Sequence, residues 1–149
     1  MGMASYSNSI SWITSIRVGT LFNWCMKSQT NTKLRTDKCW DSYQAVKQEK
    51  HYCFMCQKPA KNPIRKYTYW TIIANTFPYD AVASTHHLLV PNRHLAAEDA
   101  LTAFEMRELE TIKQSLGLQA EYDCIMHNFP AGQSQPQHLH YHLITWLRN

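Results

Sequence analysis

The alternation of apolar and polar residues predicts several short strands. Residues 67–74, Tyr-Thr-Tyr-Trp-Thr-Ile-Ile-Ala, are rich in β-branched and aromatic side chains and predict the first strand. An apolar run over residues 86–90, which stops at Pro91, predicts the second, and residues 122–127 and 137–146 predict two more. The Pro and Gly residues of segment 128–136 predict a tight loop between the last two strands.

Helical spacing predicts one main helix. Thr102 and Glu105 form the sequence signature of a capping box, and four apolar residues follow at helical spacing: Met106, Leu109, Ile112 and Leu116. Gly117 occupies the position of a left-handed C-terminal cap. Residues 37–50 predict a shorter helix with Asp37 as its cap. Strands interrupted by one main helix indicate an α+β fold, in which the helix packs on an antiparallel sheet.

The composition is that of a folded globular protein. Of the 149 residues, 44% are hydrophobic and 12% are aromatic, which is enough for one domain with a sizeable core. No apolar run approaches the roughly eighteen residues of a transmembrane helix. Residues 1–8 carry no charged side chain and lead into no long apolar stretch. We therefore expect no signal peptide, no membrane association and a cytoplasmic location.

The net charge of +4 is distributed unevenly. Residues 1–70 contain eleven Lys and Arg against three acidic residues, a net charge of +8, whereas residues 71–149 contain four against eight, a net charge of −4. A basic half is compatible with a phosphate-rich ligand or nucleic acid. Because the basic residues are dispersed, a solvated surface is the simpler interpretation. Nucleic acid is not the expected partner, although the sequence does not exclude it.

Three histidines near the end of the chain carry the clearest chemical signal. His138, His140 and His142 stand at every second position and alternate with Leu139, Tyr141 and Leu143. Side chains of a strand alternate between its two faces, so the three imidazoles should share one face and the apolar residues the other. Histidine changes charge near neutral pH, binds metals and can act as a nucleophile. The pattern therefore predicts a functional site.

Cys53 and Cys56 are spaced as two thiolate ligands of one tetrahedral ion. In a reducing compartment such a pair, in a chain with five cysteines, indicates a metal or redox site rather than a disulfide framework. Residues i and i+2 of a strand lie about 6.6 Å apart, so adjacent triad histidines rarely chelate one ion. One histidine from the triad and one from elsewhere fit better. We predict a structural zinc site of Cys53, Cys56, His94 and His138.

Two alternatives to this metal site stay open. His51 lies near the thiols in the sequence and could replace His94 or His138. The other interpretation is a thioredoxin-like redox pair, which requires a strand-to-helix turn followed by a βαβ pattern. That pattern is absent from the sequence.

Four segments occur in the order found in one known family. His-Leu-His-Tyr-His-Leu-Ile at 138–144 matches a signature of three alternating histidines, and Thr-His-His-Leu-Leu-Val-Pro-Asn-Arg-His at 85–94 matches a His–Pro–His segment. Asn-Thr-Phe-Pro-Tyr at 75–79 matches a nucleoside-binding turn, and residues 128–134 match a phosphate-binding loop. Together they resemble the histidine triad (HIT) superfamily of nucleotide hydrolases and transferases. The resemblance covers residues 50–149, as a HIT-like nucleotide-binding catalytic domain, and implies an antiparallel sheet of about five strands. It leaves residues 1–49 as an N-terminal extension of unknown role.

The resemblance implies a catalytic role for three histidines. His140, the central member, would attack the α-phosphate of a nucleotide and form a covalent nucleotidyl-histidine. His142 would orient the nucleophile and contact the phosphate or the leaving group, and His86 would lie across the phosphate. His87 adjoins His86 and would replace it if the strand register slipped by one residue. Because the triad is complete, hydrolysis is favoured over transfer to a sugar phosphate.

The resemblance also implies a nucleotide-binding set. Asn128, with Gln133 or Ser134, would bind the phosphoryl oxygens, and Asn75 would contact the ribose. Gln133 lies five positions before His138, where the family usually has four, so either Gln133 or Ser134 fits the phosphate-binding position. The stretch from Asn75 to the next histidine segment is longer than in Hint- and Fhit-type members. The zinc site resembles that of many bacterial members, and the family's pairing of protomers implies a homodimer.

Three functional hypotheses follow. The leading one is a histidine triad nucleotide hydrolase, a phosphoramidase or dinucleoside polyphosphate hydrolase, that cleaves a purine nucleotide at the α-phosphorus. The second is a non-catalytic protein that binds or senses nucleotides. The third is an aprataxin-like hydrolase of nucleic-acid adenylates, in which the basic first half binds DNA; such proteins carry a zinc finger after the triad, whereas this sequence ends at Asn149.

Overall fold

The computed structural model describes residues 34–47, 53, 55–56, 62–129, 132–133 and 135–148. The chain divides into two compact units, residues 1–30 and 31–149, and all described residues belong to the second. The predicted division between residues 49 and 50 lies outside the described ranges and stays a prediction. None of the helices in these ranges has the length and hydropathy that a membrane span requires.

Helices and strands follow one another along the described chain. In order they are α1 (Asp37–Lys47), β1 (Pro63–Lys66), β2 (Trp70–Ala74), β3 (Ala83–Pro91), a 3₁₀ turn (Glu98–Ala100), α2 (Ala103–Lys113), α3 (Leu116–Glu121), β4 (Cys124–Met126) and β5 (Tyr141–Trp146). The strands form one sheet in the order β1-β2-β3-β5-β4, and all four neighbouring pairs are antiparallel. The fold is therefore α+β with a five-stranded, open, antiparallel sheet, as the sequence predicts.

Four of these strands lie where the residue pattern predicts them. The pattern does not predict the remaining strand, β1. β1 begins at Pro63 and forms one edge of the sheet. Proline cannot donate to a ladder, so the first residue of an edge strand suits it. All four residues of β1 are exposed. An exposed edge strand of mixed polarity lacks the alternation by which the buried strands are recognised.

The main helix starts as predicted and ends differently. Thr102 and Glu105 form both halves of the capping box of α2, and Leu109 and Ile112 are buried. The helix ends at Lys113, and Ser115 caps a separate helix, α3, in which Gly117 is an internal residue. The prediction of Gly117 as a left-handed cap is therefore wrong. Met106 and Leu116 are exposed, so the apolar stripe buries only its middle part.

The two faces of the sheet are covered by different parts of the chain. Helices α2 and α3 cover one face, where Trp70, Leu89 and Leu143 pack beneath Leu109 and other helical residues. On the opposite face, Ile73, Leu88 and Val90 pack against Met55. Two differently covered faces of one sheet allow core packing on one side and a site on the other.

Helix α1 attaches to the chain segment that follows β2. Its cap is Thr36, not the predicted Asp37, because Thr36 accepts from the backbone N–H groups of Cys39 and Trp40, at 3.4 and 2.9 Å. Thr36 also contacts Asp80, donating from its backbone N–H at 2.8 Å and from its hydroxyl at 2.6 Å. Residues before position 49 thus pack on the segment that carries the predicted nucleoside-binding turn.

Candidate active site and metal centre

The three triad histidines lie on the sheet face opposite helices α2 and α3. β5 begins at Tyr141, so His138 and His140 belong to the segment that leads into the strand, which is shorter than predicted. The alternation nevertheless extends through this segment, because the intervening apolar residues belong to the core beneath the helices: Leu139, Tyr141 and Leu143. His138, His140 and His142 are all buried, at 1%, 2% and 4% exposure.

The tautomer of His140 is set by a backbone carbonyl. Its Nδ1 lies 2.8 Å from the carbonyl oxygen of His138. A carbonyl oxygen can only accept a hydrogen bond, so Nδ1 carries the hydrogen. A neutral imidazole has a single N–H, and the lone pair of His140 is therefore on Nε2. This is the arrangement that a nucleophilic histidine needs.

His86 and His142 form a hydrogen-bonded pair whose proton positions can also be assigned. The backbone N–H of Tyr79 donates to His86 Nδ1 at 2.9 Å, which leaves Nε2 as the N–H of that ring. His86 Nε2 lies 2.9 Å from His142 Nδ1 and donates to it. His142 consequently carries its hydrogen on Nε2. The His142 ring stands 5.0 Å from that of His140, measured between centroids, at 74°.

All three imidazoles of this group favour the neutral form. Burial, with a contribution from the positive charge of Arg35, lowers the pKa of His86 to about 4. Burial, with contributions from His140 and His86, lowers the pKa of His142 to about 3. Burial also lowers the pKa of His140. At neutral pH His140 therefore keeps the lone pair that nucleophilic attack requires.

A cleft opens on this face of the sheet. Its empty space is about 540 Å³, part of it open to solvent, and its apolar walls are Met55, Ile73, Phe77 and Leu88. His140 and His142 line the cleft; His86 is not among the lining residues and contacts the cleft through His142. A cleft with apolar walls and a few polar groups is the usual form of a small-molecule site.

Asn75 occupies the position that the resemblance assigns to ribose binding. It follows β2 and lines the cleft. Its Oδ1 accepts a hydrogen bond from the backbone N–H of Phe77 at 3.0 Å, which closes a local turn. This bond also distinguishes the amide oxygen from the amide nitrogen. Asn75 Nδ2 lies 3.2 Å from His86 Nε2, which also carries a hydrogen, so the two donors do not bond to each other. The bond from Phe77 therefore holds the Asn75 side chain beside the histidine pair.

The predicted phosphate-binding residues are only partly brought to the histidines. The Asn128 side-chain amide lies 3.3 Å from His142 Nε2. Gln133 instead donates to the Asn128 carbonyl at 2.8 Å, and its Nε2 lies 3.3 Å from His127 Nε2. Ser134 lies outside the described residues. The choice between Gln133 and Ser134 stays open.

Several lining residues were missed by the sequence analysis. Gln135 lines the cleft two positions after Gln133, and Arg35 and Tyr43 line it from the segment around α1. No short motif contains Arg35, and it is far from the triad in sequence. The signal for this region is the helical spacing of Trp40 and Tyr43, which gives the predicted helix an apolar face.

Four residues form a cluster suited to a metal ion. Cys53, Cys56, His94 and His138 each offer a ligand atom, and these atoms lie within 4.8 Å of one another. His94 follows β3, and His138 precedes β5, so the sheet places both histidines beside the C-x-x-C segment. These are the four residues that the sequence predicts, and the structure brings them together.

The distances in the cluster are close to those between the ligands of a tetrahedral ion. Cys53 Sγ lies 3.2 Å from His138 Nδ1, and Cys56 Sγ lies 3.1 Å from His94 Nδ1 and 3.4 Å from His138 Nδ1. Bonds of about 2.3 Å to sulfur and about 2.0 Å to nitrogen separate a tetrahedral sulfur and nitrogen by about 3.5 Å, so these side chains need to move apart by only a few tenths of an ångström to hold an ion. Burial, and then the neighbouring Cys53, raise the pKa of Cys56 to about 11, so metal binding must displace a proton from this thiol.

Three further histidines lie outside the groups described so far. His87 points to the opposite face, where its Nδ1 lies 2.7 Å from the Tyr122 hydroxyl, so His86 and not His87 belongs to the cleft side. His127 follows β4, and its Nδ1 lies 3.2 Å from a Glu98 carboxylate oxygen. It is not one of the four clustered residues. His51 lies outside the described residues.

Comparison with known proteins gives structural neighbours only. No family model matches the chain, and no curated protein does. The structure is similar to a HIT family hydrolase from Legionella pneumophila Philadelphia 1, with 22% identity and a TM-score of 0.48 over 63% of this chain and 92% of that one. It is also similar to a histidine triad protein from Clostridium difficile, with 21% identity and a TM-score of 0.43 over 59% and 80%. The names of both neighbours refer to the histidine triad family, whose motifs the sequence resembles.

Proposed function

We propose that this chain is a histidine triad enzyme that hydrolyses or transfers the nucleotidyl group of a purine nucleotide. The bond cleaved is at the α-phosphorus of a nucleotide phosphoramidate or a dinucleoside polyphosphate. The observation that carries the proposal is the hydrogen bond of His140 Nδ1 to the His138 carbonyl, which leaves Nε2 of a neutral imidazole as the nucleophile in a cleft.

The first step forms a covalent intermediate. The lone pair of His140 Nε2 attacks the α-phosphorus, an N–P bond forms, and the bond to the leaving group breaks. The leaving group departs with that electron pair: a polyphosphate leaves as an anion, and an amine leaves after it takes a proton from solvent water. Nδ1 keeps its hydrogen, so the nucleotidyl-imidazole carries a positive charge that the His138 carbonyl stabilises.

The second step returns the enzyme to its initial state. A water oxygen attacks phosphorus, the N–P bond breaks, and its electron pair returns to Nε2. The proton of the water is released, and a nucleoside monophosphate is formed. Another acceptor in place of water gives nucleotidyl transfer.

The neighbouring groups bind the phosphate while its charge is redistributed. His142 Nε2–H donates to a phosphoryl oxygen or to the leaving group, and His86 fixes the tautomer of His142 through their 2.9 Å contact. Asn128, with Gln133 or Ser134, completes the set of phosphate donors, and Asn75 binds the ribose. These roles use neutral donors held in place before the substrate binds.

The Cys53, Cys56, His94 and His138 cluster is proposed as a structural zinc site. Two thiolates and two imidazoles are the ligand set that zinc prefers, and the ligand spacing supports tetrahedral coordination. Bound zinc would link the C-x-x-C segment to the end of the sheet at which β3 finishes and β5 begins. We also propose a cytoplasmic homodimer.

The test is detection of the nucleotidyl adduct. Purified protein is incubated with adenosine phosphoramidate, diadenosine polyphosphates and their guanosine counterparts, and intact mass spectrometry measures the addition of one nucleoside monophosphate. The H140A variant should form no adduct and release no nucleoside monophosphate. The matched control is H87Q, which replaces a histidine on the other face of the same sheet and should keep adduct formation.

The alternatives give different outcomes. If calorimetry detects nucleotide binding but no adduct or turnover is found, the protein binds or senses nucleotides and is not an enzyme of this kind. Undiminished turnover in the H140A variant would overturn the assignment of the nucleophile.

A further inference from the structure

Arg35 is a buried cation supplied by the residues before α1. It is 4% exposed. Its Nε donates to the Phe77 carbonyl at 3.1 Å, and its guanidinium carbon lies 5.0 Å from the ring centroid of Tyr43 and 4.7 Å from that of Tyr79. The two rings and the carbonyl hold the guanidinium in place.

Among the described residues no carboxylate pairs with Arg35. The ion pairs of this part of the chain involve other residues. Asp80, the acidic residue of the adjacent segment, accepts hydrogen bonds from Thr36 instead. A buried charge is costly unless an opposite charge or several hydrogen bonds compensate for it. The site therefore has a positive charge that an anionic ligand would balance.

The guanidinium shares the cleft with the proposed nucleophile. Arg35, His140 and His142 all line it. The Tyr79 ring that contacts Arg35 also stacks on His142, with centroids 5.6 Å apart at 20°. The charge of Arg35 contributes to the low pKa of both His86 and His142, which agrees with its proximity to them. An anion bound by Arg35 would thus be part of the same substrate.

The donors already assigned to the reacting phosphate are neutral. His142 and Asn128 contribute an imidazole and an amide. Neutral donors suit an α-phosphate with a single negative charge, and a guanidinium in the same cleft supplies compensation for a second. A phosphoramidate brings one negative charge, whereas a polyphosphate chain brings more.

We propose that Arg35 binds a phosphate of the substrate other than the one that His140 attacks, so that the cleft selects nucleoside polyphosphates over phosphoramidates. This proposal rests on the proposed function for the nucleoside part of the ligand. The anion site itself does not depend on it. Arg35 is then a specificity-determining residue donated by a segment outside the region that resembles the family.

The experiment measures binding by calorimetry to full-length protein at low and high salt. The probes are adenosine, adenosine monophosphate, adenosine diphosphate and inorganic tripolyphosphate. In the unmodified protein the diphosphate should bind more tightly than the monophosphate, and tripolyphosphate should bind with a salt-dependent affinity. The R35Q variant should lose about tenfold or more of the affinity for diphosphate and tripolyphosphate and none of that for adenosine.

Two further variants separate charge from structure. R35K keeps the charge without the planar fork and should recover part of the lost affinity. T36V removes the hydroxyl contact to Asp80, which attaches the same segment, and keeps the guanidinium; its affinity for tripolyphosphate should stay unchanged. Equal loss of adenosine and diphosphate binding in R35Q would assign Arg35 a purely structural role and overturn the proposal.

The tripolyphosphate titration keeps the two proposals apart. If no nucleotide binds but tripolyphosphate binds in an Arg35-dependent way, the anion site stands and the proposed function fails. If adenosine phosphoramidate forms the adduct but R35Q binds tripolyphosphate as the unmodified protein does, the proposed function stands and the anion site fails.

Discussion

His138 and His140 stand two residues apart on the same face of the sheet, yet they hold their ring hydrogens in opposite positions. His138 presents Nδ1 to the sulfur atoms of Cys53 and Cys56, and its Nε2 lies 3.4 Å from the Pro91 carbonyl. His140 donates from Nδ1 to the His138 carbonyl and keeps its lone pair on Nε2. In each case a backbone carbonyl holds the N–H and leaves the other nitrogen free for chemistry.

The difference between the two rings lies in their surroundings, not in their residue type. Both are buried, and burial lowers the pKa of both. The lone pair of His138 points to two thiols, which suits that ring to metal binding, whereas His140 lines a cleft. The comparison shows that the carbonyl partner of each histidine decides which ring nitrogen keeps its lone pair. The neighbouring elements then decide whether that lone pair faces thiols or a cleft.

The sharpest test of this contrast compares two variants, one of which should lose turnover and the other metal and stability. H140A should reduce nucleoside monophosphate release by about a thousandfold or more, as removal of a covalent nucleophile does, with a melting temperature close to that of the unmodified protein. H138A should lose metal and about 4 kcal/mol of the free energy of unfolding. The measurements are turnover, metal content and urea unfolding. Similar effects of the two variants on all three would contradict the separation of roles.

Metal removal should affect the fold first and the nucleophile through it. Chelation removes the proposed ion, and the C53S/C56S double variant removes two of its ligands. Both free His138 from the cluster, so the unfolding temperature should fall by several degrees. Since the His138 carbonyl holds the His140 N–H, adduct formation should also decline. Elemental analysis and thermal unfolding check this, with C39S as the matched cysteine control. An unchanged melting temperature after complete removal of metal would argue against a structural ion.

The pH dependence of stability should report the His86–His142 pair. The folded pKa values, about 4 and about 3, lie below the value of about 6.5 for an unfolded histidine, so the unfolded state binds more protons between these limits. Stability is therefore complete above about pH 6.5 and falls as the pH decreases, by about 1.4 kcal/mol per pH unit for each group. Urea unfolding of the protein and of the H142N variant between pH 7 and 4 measures this; the variant should show a smaller slope.

The smallest expected effect is that of a substitution in the N-terminal cap of α2. T102A removes one half of the capping box of α2. The Glu105 of that box also pairs, at 2.6 Å, with Arg93, which precedes the proposed ligand His94 in the chain. The free energy of unfolding should fall by about 1 kcal/mol. Turnover should stay unchanged, because the cleft lies on the other face of the sheet. A loss of turnover without a loss of stability would show that the two regions are coupled more closely than their contacts indicate.

Much of this architecture follows from local pattern alone. The buried strands β2 and β3 and the cap of α2 have strong residue signals, because apolar runs and capping boxes act over a few neighbouring residues. β1 did not have such a signal, since an exposed edge strand needs only one partner and no apolar face. The prediction of Gly117 as a helix cap was wrong because tertiary packing favours a second helix there. Ser115 caps α3, which buries Leu118 in the core.

The sequence by itself determined which residues we propose to carry the chemistry, because the period-two spacing of His138, His140 and His142 and the spacing of Cys53 and Cys56 are properties of a short stretch of chain. The tertiary structure decided which groups surround them. It placed His94 beside the thiols and His86 against His142, and it brought Arg35 into the cleft. Contacts between residues far apart in the chain depend on how strands and helices pack. Such packing sets the tautomer of a ring and the partner of a charge, and neither can be read from neighbours in the sequence.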